Sequence, residues 1–180
     1  MCVVNVSRSV LVLALACASG AALAAEAESM VPEPSVFVER ATMASMTELE
    51  AARAALAKSE DPGVRTFAER MVKDHTAAQA ELRSLAEGKG IAAPTRLDDE
   101  HQAALSEITS KTGSEFDRAF SQHMNMDHTK AIALFEAASR SPDPELAGFA
   151  KKTLPTLREH KKLAEKLPGK PTNAPSAGGY

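Results

Sequence analysis

The chain has no tryptophan, one tyrosine and only 4% aromatic residues, so it offers no stacking platform for single-stranded nucleic acid. A formal net charge of -3 supplies no basic field to draw in DNA or RNA. It has two cysteines, Cys2 and Cys17, and both fall in the first seventeen residues. If a leader there is removed, no disulfide or thiolate chemistry remains. The apolar core Val10 to Ala16 is too short to span a bilayer.

That stretch follows Arg8 and precedes Ala22-Leu23-Ala24, a basic start, an apolar core and an A-x-A cleavage signal. Residues 1–24 are therefore read as a signal peptide, and the protein as exported to the periplasm, with an outer-membrane association open. Leu15-Ala16-Cys17 also allows a lipoprotein reading, with Cys17 lipidated. Residues 25–34 are a short acidic and proline-containing lead-in. The tail from Pro168 to Tyr180 is rich in Pro, Gly, Ser and Ala and is expected to be disordered.

Between them, 44% hydrophobic content dominated by Ala and Leu predicts an all-α domain over 35–167. Phe37, Ala41, Ala44, Glu48, Ala51 and Ala55 repeat at four and three, the spacing of one buried helical stripe. Ser35 is expected to cap that first helix. Asp61-Pro62 ends it and starts a second, whose stripe is Val64, Ala68, Met71, His75, Ala78, Leu82 and Leu85. Gly88 and Gly90 supply its left-handed stop. A crossover follows, with Asp98 capping a short helix. Thr112 and Glu115 are expected to form a capping box for a helix with Phe116, Phe120, Met124, His128, Ala131 and Phe135 on its stripe. After Asp143-Pro144 the last stripe is Leu146, Ala150, Thr153, Leu157, His160 and Ala164, with Pro155 predicting a kink near Lys151 to Leu154. Asp61-Pro62-x-Val64-x-x-Phe67-Ala68 recurs as Asp143-Pro144-x-Leu146-x-x-Phe149-Ala150. Two such hairpins joined by a crossover predict a ferritin-like four-helix bundle.

Counting from the turns places the polar stripe residues. Glu48 lies thirteen residues before Asp61 and His75 fourteen after it; His128 lies fifteen before Asp143 and His160 seventeen after it. At about 1.5 Å per residue each pair shares a level, and the two levels agree within about a turn. Glu48, His75, His128 and His160 are thus expected to meet near mid-bundle. Three imidazoles and a carboxylate suit one transition-metal ion, Zn, Cu, Ni or Fe. Met71 and Met124, one turn from His75 and His128, would favour copper as additional ligands, and His123 would extend the site. The competing reading is a buried polar network that only fixes helix register, in a structural or interaction protein. Catalysis ranks last, because no nucleophile motif, phosphate loop or pair of catalytic carboxylates can be placed. The acids beside the histidines, Asp74, Asp127 and Glu159, are read first as ordinary surface pairs, such as Arg70 with Asp74, and second as partners orienting a neighbouring helix's imidazole.

At Glu48, the Phe67-Ala68-x-x-Met71-Val72-x-Asp74-His75 run, Gly113-x-x-Phe116-Asp117-x-x-Phe120 leading to Asp127-His128, and Phe149-Ala150-x-x-Thr153-Leu154-Pro155-x-Leu157-x-x-His160, the chain resembles a family of exported bacterial proteins of unknown function. Members are often labelled outer-membrane or membrane proteins. The resemblance covers roughly Val36 to Leu167 and implies a ferritin-like fold but no settled activity. Other ferritin-like proteins carry Glu-x-x-His on two helices. That motif is absent from this sequence, which argues against a di-iron centre.

Overall fold

The computed structural model describes residues 31–168. The expected leader, Cys17 and the tail beyond Pro168 lie outside them. Five helices are described: α1 Pro34–Lys58, α2 Pro62–Gly88, α3 Asp99–Thr109, α4 Gly113–Ala138 and α5 Pro144–Ala164.

Their ends follow local chemistry. Asp61 Oδ1 accepts from the Val64 N–H at 2.9 Å, Asp98 Oδ1 from that of His101 at 2.8 Å, and Asp143 Oδ1 from those of Glu145 and Leu146 at 3.0 and 3.1 Å. Each satisfies N–H groups that a helix start leaves orphaned. Two expected caps are corrected. Ser35 lies inside α1, which opens at Pro34 with Glu33 in the cap position and no side-chain bond; proline's fixed φ starts the helix a residue early. Thr112 holds the cap position of α4 without a capping bond, and a left-handed Gly113, φ 53°, makes the turn instead. At the end of α2 only Gly90 is left-handed, φ 67°. Ile91 N–H donates to Ala86 O at 2.8 Å and Gly90 N–H to Glu87 O at 3.1 Å, a Schellman stop. Helix α5 continues through Pro155 to Ala164, at the expense of the hydrogen bond that the Lys151 carbonyl would normally accept.

The interior is two apolar clusters. One gathers Phe37 and Ala41 of α1, Leu82 and Ala86 of α2, Ala131 to Ala138 of α4, and Leu146 to Leu157 of α5. The other gathers Ala51 to Ala55, Val64 to Met71, Phe116 to Met124, and Ala164 with Leu167. Helix α1 therefore runs from the first cluster to the second, α2 returns, the crossover carries the chain back along the bundle, α4 runs with α2, and α5 runs with α1. Packing pairs are α1 with α2, α4 with α5, α1 with α4 and α2 with α5, all antiparallel. That is the expected all-α, ferritin-like arrangement. Rings lock the first cluster: Phe37 meets Phe135 edge-on at 4.9 Å and Phe149 at 6.2 Å, contacts each worth about 0.5–1.5 kcal/mol beyond their area.

The crossover helix α3 packs on α1. The buried face of α1 also includes Thr42, Met43 and Thr47, none of them on the expected stripe. Lys58 also donates its ammonium to the Thr109 carbonyl.

Candidate metal centre

Between the two apolar clusters lies a polar layer with one ionisable side chain from each bundle helix: Glu48, His75, His128 and His160. All four are buried, at 1%, 5%, 0% and 0% exposure, so solvent cannot satisfy them. The hairpin count thus puts the four side chains in one layer, but the group that could hold an ion is the three rings, and Glu48, expected among the ligands, is not part of it. Ring centroids lie 6.0 Å apart for His75 and His128, 5.5 Å for His75 and His160, and 5.4 Å for His128 and His160. One nitrogen from each ring lies within 4.8 Å of one from each of the others.

Each ring has one nitrogen held and one without a partner. His160 Nε2 donates to Asp74 Oδ2 at 2.9 Å. His128 Nδ1 donates to the Met124 carbonyl at 2.8 Å. His75 Nδ1 meets the Ser45 hydroxyl at 3.0 Å, and Gln79 Nε2 donates to that hydroxyl at 3.1 Å. His75 Nε2, His128 Nε2 and His160 Nδ1 are buried with no hydrogen-bond partner. A carbonyl or carboxylate only accepts, so the protons of His128 and His160 sit on the held nitrogens. Their other nitrogens are bare lone pairs, and a proton on His75 Nδ1 gives a third.

Charge points the same way. Burial, then the neighbouring imidazoles, pushes His75 well below its ordinary range. Burial brings His128 down to about 4. Burial also lowers His160, against the pull of Asp74. At neutral pH the rings are uncharged, the form that binds metal. Glu48 sits behind two of them, Oε1 3.1 Å from His128 Nδ1 and Oε2 3.5 Å from His75 Nδ1. Its Oε1 accepts no hydrogen bond. Burial first, then the nearby Asp127 charge, pushes its carboxyl well above the ordinary range. Three bare lone pairs and an uncompensated carboxyl are what a cation would satisfy, and leaving them unmade costs about 1–3 kcal/mol per group.

The other expected participants are placed differently. Met71 and Met124 are fully buried within the second apolar cluster, and Met124 serves the site through its backbone carbonyl. His123 Nε2 faces Asp127 Oδ2 of its own helix at 2.9 Å and is not in the three-ring group. Asp74 fills both roles open to it: besides His160 it takes Arg70 Nε at 3.4 Å. Burial alone would raise Asp74, but His160 and Arg70 outweigh it and lower it. Gln79 lies off the expected stripes and Ser45 only beside one, and neither is expected at the site. Their only signals were positions, Ser45 three residues before Glu48 and Gln79 four after His75.

Fold and site together define a ferritin-like helical bundle with an internal three-histidine cluster. Residues 19–167 match a family described as a domain of unknown function, DUF4142, and the chain belongs to that family. No curated protein matches it. Among solved structures, a DUF305 fragment from Deinococcus radiodurans is similar with TM-score 0.66 and 18% identity, covering 74% of this chain and 93% of that one. CopM in its Cu(II)-bound form is similar with TM-score 0.62, the same identity and the same coverage. Likeness at that identity speaks to the fold alone. Among the described residues no helix is long and apolar enough to cross a membrane.

Proposed function

We propose that this protein is exported and binds one transition-metal ion through His75, His128 and His160, serving metal handling or envelope stress. The observation that carries the reading is the set of three buried, unpartnered imidazole nitrogens, each ring fixed from behind by a protein partner. Such outer partners set the tautomer and orientation that a ligand histidine needs. Glu48 is the counter-charge, placed against the Nδ1 side of two rings. An ion held by three imidazoles keeps a position free for a further ligand. Copper is the first candidate and zinc or iron the next, because three neutral imidazoles suit all of them and a protein of the same fold has been solved with Cu(II). Export rests on the leader pattern of residues 1–24.

A second reading has its own support. The Asp74–His160 bond ties α2 to α5 and the Ser45–His75 bond ties α1 to α2, which alone would hold the helices in register. Metal analysis of the purified protein, with His75→Ala and His160→Ala beside it, separates the two. Stoichiometric metal lost in both variants supports binding; none in the wild type, with stability unchanged by chelator, supports the register role.

A further inference from the structure

An ion bound among three fully packed rings needs a way in, and the rings are not equivalent. His160 is held by a carboxylate and His128 by a backbone carbonyl of its own helix. His75 is held by the hydroxyl of Ser45, itself half-buried and bonded to half-buried Gln79. A neutral hydroxyl is a weaker anchor than a charged group. His75 is also the most exposed ring, at 5% against 0% for the others. A cavity of about 40 Å³ lies against it. It lies between the helices, with Ala44, Ser45, Glu48, His75, Ala78 and Gln79 among its lining on the α1–α2 side and residues of α4 and α5 facing them. His128 and His160 do not line it. A water needs about 10–15 Å³, so this space admits a small hydrated species or the edge of a turning imidazole.

Building on the metal-binding reading above, we infer that the ion passes in and out through the α1–α2 seam at Ala44, Ser45, Ala78 and Gln79, with His75 as the ligand that swings aside. Glu48 lines the same cavity beside His75. The Gln79–Ser45 bond is the latch: it must open for His75 to leave its resting position.

The test separates rate from affinity. Co(II) loading is followed by its absorption bands, release by transfer to EDTA, and Kd by competition at equilibrium. Ala78→Leu fills the seam and should slow loading and release alike by roughly tenfold, with Kd held within about threefold. Gln79→Ala should speed both. Ala133→Leu, on the exposed face of α4, should change neither. Ala44→Leu serves as the second plug if Ala78→Leu does not fold. Folded plugs with wild-type rates, or Gln79→Ala with wild-type rates, overturn the route while leaving the metal site standing. A wild-type protein that takes up no ion sinks the binding reading and the route with it.

Discussion

Asp74 on α2 reaches across the bundle to accept a 2.9 Å hydrogen bond from His160 Nε2 on α5, and Arg70 one turn earlier braces it at 3.4 Å. That contact sets which nitrogen of His160 is bare. Asp74→Asn keeps the shape but removes the charge and lets the amide present a donor to the ring. Metal affinity should fall about 10–100-fold, the usual cost of losing an outer partner, with the helix content unchanged by circular dichroism. Wild-type affinity in a competition titration would remove Asp74 from the site.

The metal and register readings differ in the sign of one stability change. If the rings are there for an ion, the metal-free protein carries unmet lone pairs at its own expense. Replacing a buried polar group by an apolar one of similar size is then neutral or favourable. His128→Leu should leave the Tm of the metal-free protein within about 3 °C of wild type, or raise it. A loss of 10 °C or more in calorimetry, roughly 3 kcal/mol for a domain of this size, would mean that the ring is structural.

How much of this was legible beforehand is seen residue by residue. Helical spacing and the two Asp-Pro turns are local signals, so Glu48, His75, His128 and His160 were placed at one level by counting alone. Which nitrogen each ring shows the others depends on rotamers and on partners from other helices, and no spacing encodes that. Ser45 and Gln79 belong to this second kind. So do Thr42, Met43 and Thr47, buried off the expected stripe where the chain between α2 and α4 comes back past α1. Ser35 and Thr112 were misread for a different reason: a neighbouring proline and a left-handed glycine settle those helix starts before a hydroxyl can.

Acid should destabilise the metal-free protein. His75 and His160 are lowered, and His128 is brought to about 4, against an ordinary 6.5. As pH falls through that window the unfolded chain takes up the protons first, so stability drops. Glu48 has the opposite sign. Its folded pKa is raised above 4.5, so stability is lost as pH rises through the folded value. Glu48→Gln should therefore raise Tm relative to wild type most at pH 8, and that gain should shrink towards pH 4. A gain that does not vary with pH would show that Glu48 does not titrate as its burial requires.

The end of α2 offers a paired check on the fold. Gly90 is left-handed, whereas Gly88 is the last helical residue, with open space around it. Gly90→Ala should cost about 1–2 kcal/mol. Gly88→Ala should stabilise by up to about 1 kcal/mol. Urea melts giving the same sign for both would contradict the Schellman stop.

The most direct measurement is the metal content of the full-length protein purified without chelator, read by elemental analysis and repeated after Cu(II) or Zn(II) addition and desalting. The expected result is about one ion per chain, falling to near zero in His75→Ala, His128→Ala and His160→Ala. No retained metal, or retention unaltered by losing all three imidazoles, would contradict the assignment of this layer as a metal centre.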